Sequence, residues 1–122
     1  MQSAQAVLLQ FLSAFSQLRL DEMLACFADD ATAFFPGEHH RERLLGRAAI
    51  REAFNRVLER VRATGATVMR LDAEAMHVQP LGEVAIITFH IRGDHLSRRT
   101  FVLQERGGQW LIAHFHGSNA LS

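Results

Sequence analysis

Residues 83–118 read EVAIITFHIRGDHLSRRTFVLQERGGQWLIAHFHGS, and this stretch decides the fold class. Two glycine-containing pairs, Gly93-Asp94 and Gly107-Gly108, divide it into three segments rich in β-branched, aromatic and leucine side chains. Glycine accepts the positive φ that a tight hairpin turn requires, so the pattern predicts consecutive antiparallel strands. The predicted strands cover residues 83–92, 95–106 and 109–118. Strands of ten or more residues exceed the usual length, which indicates a curled sheet.

The first 65 residues predict three helices. After Ser3, a suitable N-cap, apolar residues recur at helical spacing. A second, short helix is expected to end at the acidic pair Asp29-Asp30. The third helix occupies the segment between Gly46 and Gly65, where apolar residues again recur at helical spacing and the second glycine provides a stop.

Further strands are predicted on both sides of the third helix, a short one over 31–35 and a long one over 67–79. The segment 38–43 has no periodicity and is expected to be an exposed loop. We therefore predict an α+β domain over residues 1–122, a cone-shaped, curled antiparallel sheet covered by three N-terminal helices. The open end of such a cone suits a small-molecule pocket.

Composition limits the possible functions. Of the 122 residues, 48% are hydrophobic and 21% are charged, and 13 basic residues balance 13 acidic ones. A chain without net charge has no overall field to attract nucleic acid or an anionic membrane, so neither is expected as a partner. Every basic residue is arginine and tyrosine is absent, so no lysine can form a Schiff base and no phenol can polarise a carbonyl.

The positions of the cysteine and the histidines in the sequence predict neither a metal site nor a bound cofactor. The single cysteine, Cys26, lies in an apolar helical context and is expected to be buried and inert. His114 and His116 point to the same side of a strand, but His90, the third histidine that zinc would need, should lie roughly 10 Å away, two strands over. The sequence lacks the pattern of a signal peptide and any apolar run of ~20 residues, so a cytoplasmic location is expected.

Polar side chains in the predicted hairpins should collect on one face of the sheet. If both glycine turns have two residues, directly opposed partners lie on the same side. The predicted pairs are Arg92 with His95, His90 with Ser97, Thr88 with Arg99, Phe101 with His114, and Arg99 with His116. A bulge in the last strand would exchange the faces of His114 and His116.

An apolar concave wall with a few polar groups is what a ligand pocket needs. The ligand-binding residues predicted here are Phe34, Phe54, Thr88, Arg92, Arg99, Phe101 and His116. His90 and His114 are the catalytic candidates, because an unperturbed imidazole titrates near neutrality. Arg92 needs an anion on an apolar wall, either from a ligand or from Asp94 at the turn. The alternative is that these polar residues form hydrogen bonds within a subunit interface.

Three segments of the chain resemble the nuclear transport factor 2-like superfamily. They cover residues 109–118 (QWLIAHFHGS), 31–36 (ATAFFP) and 46–51 (GRAAIR). The similarity is to SnoaL-like domains and to the association domain of calcium/calmodulin-dependent kinases. It implies a cystatin-like cone with a central cavity, assembled as dimers or larger rings. Arginines line that cavity in the kinase association domain; Arg92 matches one of them, whereas Phe101 and Gly117 stand at the other two positions.

Three functions follow from these observations. The first is binding of a small, partly apolar metabolite that carries a carboxylate. The second is catalysis by an isomerase, dehydratase or hydrolase with a pocket histidine as general base; the resemblance implies a steroid-isomerase-like or polyketide-cyclase-like reaction, without a tyrosine oxyanion hole. The third is an oligomerisation module. We also expect a homodimer through an apolar sheet face that contains Phe89, Val102, Leu111 and Phe115.

Overall fold

The computed structural model describes residues 2–37 and 40–120. The helices in these residues are α1 (Ala4–Ser16), α2 (Leu20–Leu24) and α3 (Arg47–Ala63). The strands are β1 (Phe27–Phe34), β2 (Leu44–Leu45), β3 (Ala73–Leu81), β4 (Val84–Arg92), β5 (Leu96–Arg106) and β6 (Gln109–Ala120). Glu38 and His39, which belong to the predicted loop at 38–43, lie outside the described residues.

The strands form one six-stranded, curled and unclosed sheet in the order β2-β1-β6-β5-β4-β3. Helix α1 packs against β6 and α3 packs against β1, which confirms the predicted α+β cone. Neighbouring strands are antiparallel except for β1 and β6, which run parallel. No hairpin turn links β1 to β6, so no short connection constrains their relative direction.

The end of α2 differs from the prediction. This helix ends at Leu24, and Asp29 and Asp30 lie within β1 instead of ending a helix. Both carboxylates are exposed and paired with arginines, Asp29 with Arg47 at 2.5 Å and Asp30 with Arg106 at 2.7 Å. Acidic side chains are therefore tolerated in this strand because they project into water beside a positive charge.

Strand β3 begins at Ala73, later than the predicted start at residue 67. The preceding segment is held against α1, because the Met69 backbone N–H donates to the carbonyl oxygen of Ser16 at 2.7 Å. The predicted helix limits are confirmed at two points. The Ser3 hydroxyl accepts a hydrogen bond from the first turn of α1 at 3.1 Å, and Gly65, with φ of 87°, follows the last turn of α3.

The turn between β4 and β5 has three residues, not two. Arg92 is opposite Leu96, and Gly93 donates its N–H to the carbonyl of His95 at 3.2 Å. The predicted β4–β5 register is therefore wrong by one residue. Because side chains alternate along a strand, this difference moves every side chain of β5 to the other side relative to β4.

The turn between β5 and β6 is the predicted two-residue loop, with Gly107 and Gly108 at positive φ of 56° and 81°. Further along, the register shifts at Ala113, so that Phe101 is opposite Phe115 instead of His114. A β-bulge of this kind exchanges the faces of the residues beyond it. The last-strand histidines consequently face away from Phe101.

We call the sheet face under the helices the inner face and the opposite one the outer face. Seven apolar inner-face residues of β4–β6 are at most 3% exposed: Ala85, Ile87, Phe89, Phe101, Leu103, Ile112 and Phe115. Half-buried outer-face residues include Ile86, Thr88, His90, Thr100, Val102, Leu111 and His114. The predicted apolar face is therefore wrong in composition, because Phe89 and Phe115 lie inside whereas Val102 and Leu111 lie outside.

Cys26 is buried, as predicted, at 4% exposure. Burial raises the pKa of its thiol to about 11, so the reactive thiolate is scarce at neutral pH. Among the described residues, no helix has the length and apolar character needed to cross a membrane.

Candidate functional site

A cavity of about 200 Å³ lies between α1, α3, the segment after β1 and the inner face of the sheet. Seven of the nine phenylalanines of the chain line it: Phe11, Phe15, Phe35, Phe54, Phe89, Phe101 and Phe115. The helical members reach the cavity from the amphipathic faces of α1 and α3, and the strand members alternate with outward-facing residues. The predicted pocket residues Phe54 and Phe101 are thus part of it.

The sheet side of the cavity is a stack of parallel rings. Phe89 and Phe101 lie 5.7 Å apart with an interplanar angle of 10°, and Phe101 and Phe115 lie 5.1 Å apart at 12°. The three rings belong to three neighbouring strands, whose register fixes their spacing. Offset-stacked rings of this kind form a rigid apolar wall.

Arg99 places a positive charge in this apolar cavity. Its side chain extends from the inner face of β5, where it is opposite Phe89 on one side and Gly117 on the other. Within the described residues, no hydrogen bond or ion pair engages the guanidinium. Burial lowers the pKa of Arg99 to about 10, so the group is still charged at neutral pH. A buried charge without a partner favours the binding of an anion.

Two further nitrogen-bearing side chains line the cavity, Arg60 from α3 and His40 from the segment after β1. The described part of the lining contains two arginines and no aspartate or glutamate, so this part carries net positive charge. The sequence interpretation did not assign Arg60 to the site, although its spacing of three residues from Val57 on the apolar side of α3 was a usable signal. The sequence predicts that His40 belongs to an exposed loop. In the structure the centre of its ring lies 5.2 Å from that of Phe35, which lines the cavity.

Arg92, the predicted anchor, lies on the outer face and is mostly exposed. Its Nε donates to Glu74 Oε2 at 3.1 Å. This carboxylate belongs to β3. Glu74 is opposite His90, near the end of β4, and so it lies within reach of Arg92. The partner of Arg92 is therefore neither of the two expected anions, a ligand or Asp94, because the register between β3 and β4 was not predicted.

The remaining predicted site residues also lie on the outer face, outside the cavity: Phe34, Thr88, His90, His114 and His116. Because β4 and β5 are offset by one residue and β6 contains a bulge, the structure separates them from Arg99 and Phe101. Neither catalytic candidate, His90 nor His114, reaches the cavity. No cluster of three or more potential metal ligands occurs among the described residues.

His114 is held at the junction of β6 and β1. Its Nδ1 lies 2.7 Å from Thr32 Oγ1, and the ring of Phe34 lies 6.1 Å from His114 and 5.1 Å from His116. Burial lowers the pKa of His114, the positive charges of His116 and Arg43 lower it further, and hydrogen bonding at Thr32 partly opposes them. This imidazole is accordingly biased towards its neutral form on the outer face.

Comparison with known proteins places this geometry in a family. The model of the SnoaL-like domain matches residues 4–122. No curated protein sequence matches the chain. A nuclear transport factor 2-like protein of unknown function from Pseudomonas putida has a similar structure, with a TM-score of 0.81, 20% identity, and coverage of 97% of this chain and 84% of the other.

Two further solved structures have the same fold. A ketosteroid isomerase-like protein from Erwinia carotovora has a TM-score of 0.78 and 17% identity, over 98% of this chain and 95% of its own. A protein from Thiobacillus denitrificans, provisionally described as a calcium/calmodulin-dependent protein kinase type II association domain, has a TM-score of 0.74 and 23% identity, over 96% and 94%. At these identities the similarity establishes the fold.

Proposed function

The chain belongs to the SnoaL-like domain family, and we propose that it binds a small, partly apolar carboxylate in the cavity of its cone. The observation that carries this proposal is the guanidinium of Arg99, which is charged, largely buried and without a partner among the described residues. Phenylalanine rings supply the apolar contact area, and Arg99 supplies paired N–H donors that match the geometry of a carboxylate.

The size of the cavity limits the ligand. About 200 Å³ corresponds to roughly seven water molecules at ~30 Å³ each. A single aromatic ring with a short acidic side chain, such as phenylacetate, is of suitable size. The carboxylate would meet Arg99, and the ring would lie against the stack formed by Phe89, Phe101 and Phe115.

Binding is favoured over catalysis by the positions of the candidate bases. His90 and His114 lie on the outer face, so neither can take a proton from a molecule held in the cavity. In the described part of the lining, His40 is the one side chain whose ordinary pKa lies near neutrality. Among the described lining residues, His40 is therefore the candidate base for an isomerase or dehydratase reaction.

A direct test titrates phenylacetate into the wild-type protein, Arg99→Leu and Arg92→Leu by calorimetry. Arg99→Leu should weaken binding by about tenfold to a hundredfold, the range expected for a charge-assisted hydrogen bond. Arg92→Leu is the matched control, because it removes a guanidinium from the outer face, and it should leave the affinity unchanged. A wild type that gives no response to phenylacetate, benzoate or butyrate would contradict the proposed function.

We also propose that the protein is a homodimer joined through its outer face. The central row of that face is formed by Ile86, Val102 and His114, which are directly opposed across three strands and half-buried. Leu111 and Phe34 add apolar area on either side of this row. A surface that mixes apolar and polar groups in this way suits a subunit interface.

Sedimentation velocity at micromolar concentration tests the dimer. The wild type should sediment as a dimer, and Val102→Glu should give monomers because it places a charge in the centre of the interface. Leu9→Glu is the control, since Leu9 is an exposed residue of α1, which lies on the other side of the sheet. A monomeric wild type, or an undisturbed dimer of Val102→Glu, would count against this interface.

A further inference from the structure

Gly117 lies directly opposite Arg99 in the β5–β6 ladder and is buried. Its φ lies outside the left-handed region, in contrast to six other glycines of the chain. The backbone conformation at this position is therefore open to any L-amino acid. We therefore look for the reason for a glycine at position 117 in the space around its Cα atom.

The guanidinium of Arg99 provides that explanation. A Cβ atom at position 117 would overlap Arg99 Nη1, would lie 3.2 Å from Arg99 Cζ, and would lie 2.9 Å from Pro36 Cδ. The space that any other residue would fill is thus occupied by the charged end of the cavity arginine. Gly93 differs in this respect, because nothing lies within 4 Å of a Cβ atom placed there.

We infer that Gly117 is a positioning residue for the anion site, because it provides the surface on which the guanidinium of Arg99 lies. This inference rests on the proposed function, in that it assigns the residue that holds the carboxylate-binding group in place. Nη1 and Cζ are at the far end of a flexible side chain, so a methyl group at position 117 would displace the guanidinium, and the ring of Pro36 in the segment after β1 would also have to shift slightly. The cavity would keep its apolar walls and lose its fixed N–H donors.

The first experiment compares Gly117→Ala with Gly93→Ala by calorimetry, using phenylacetate and its neutral analogue phenylacetamide. Gly117→Ala should weaken phenylacetate binding by about tenfold or more, approaching the loss in Arg99→Leu. The affinity for phenylacetamide should change much less, since that analogue carries no charge for Arg99 to bind. The double variant Arg99→Leu/Gly117→Ala should bind phenylacetate no worse than Arg99→Leu alone. Gly93→Ala should match the wild type in every titration.

The second experiment measures thermal unfolding of the same variants without ligand. Alanine in place of glycine stabilises a protein where the backbone and the available space allow it. Leucine at position 99 ends before Cζ and Nη1, whereas the contact of a Cβ atom at position 117 with Pro36 Cδ is present in both backgrounds. Gly117→Ala should therefore lower Tm less in the Arg99→Leu background than in the wild type. An equal Tm change in both backgrounds would overturn the inference.

The two proposals fail in different ways. If the wild type binds phenylacetate and Gly117→Ala binds it equally well, the inference about Gly117 is wrong and the proposed function stands. If the wild type binds none of the carboxylates while the Tm effect still depends on residue 99, the proposed function is wrong and the positioning role of Gly117 is supported.

Discussion

Arg92 and Arg99 belong to adjacent antiparallel strands and lie on opposite faces of the sheet. On the outer face, Arg92 is 64% exposed at its side chain and paired with Glu74. On the inner face, Arg99 is largely buried among phenylalanine rings and has no partner within the described part of the chain. Water and a carboxylate stabilise the first charge, whereas no carboxylate of the described residues stabilises the second. The face of the sheet, and not the residue type, therefore decides which arginine is ion-paired in water and which one lines the cavity.

The largest expected difference between the faces is in packing. Phe115 is 2% exposed and stacks on Phe101 and Phe54, whereas Phe34 is half-buried on the outer face beside the histidines. Phe115→Ala should lower the free energy of unfolding by about 3–5 kcal/mol, and Phe34→Ala by about 1 kcal/mol. Urea unfolding followed by the fluorescence of Trp110 measures both. Equal losses would mean that the outer face is packed as tightly as the inner one.

The two arginines should also differ in their effect on stability. Burial lowers the pKa of Arg99 from its ordinary value to about 10, which disfavours the charged form in the folded state by up to about 3 kcal/mol at neutral pH. Arg99→Leu should therefore raise the free energy of unfolding by about 1–3 kcal/mol while it weakens ligand binding. Arg92→Leu removes an exposed ion pair and should lower it by less than about 1 kcal/mol.

Chemical denaturation of both variants at pH 7 checks this expectation. A destabilised Arg99→Leu protein would indicate that the guanidinium makes favourable contacts within the fold. Arg99 would then stabilise the fold from the inner face, as the ion pair of Arg92 and Glu74 does on the outer face.

The smallest expected effect is a pH dependence confined to the outer face. Because burial lowers the pKa of His114 below the ordinary 6.5, the unfolded chain takes up a proton at this position at a higher pH than the folded chain does. Well above pH 6.5 this contribution leaves the free energy of unfolding unchanged. The free energy of unfolding falls as the pH drops from about 6.5 towards the folded pKa, and it no longer changes below the folded pKa. His114→Gln should reduce the slope of Tm against pH between about pH 5 and 7.

His95→Gln is the control for that measurement, since His95 is exposed in the turn between β4 and β5. Its slope should match that of the wild type. Arg99 remains charged throughout this pH interval, so this arginine should add no slope of its own. An unchanged slope in His114→Gln would show that the outer-face imidazole does not couple protonation to folding.

Several parts of the structure followed from local sequence. The helical spacing of apolar residues predicted α1 and α3, and the glycine pair at 107–108 predicted a two-residue hairpin. Phe54, Arg99 and Phe101 were assigned to the pocket and do line the cavity. These predictions depended on residue types and short-range spacing, which act within one element or one tight turn.

The tertiary structure decided which residues meet in the cavity. The three-residue turn after Arg92 and the bulge at Ala113 separated the polar residues that a two-residue turn would have gathered on one face. Glu74 meets Arg92 from β3, whose register with β4 was not predicted. Gly117 is opposite Arg99, where the sequence predicts His116, because of the bulge in β6. The sequence by itself determined an apolar, arginine-bearing curled sheet under helices. Because strand side chains alternate with a period of two, a displacement of one residue exchanges the faces, and only the packed sheet fixes that displacement.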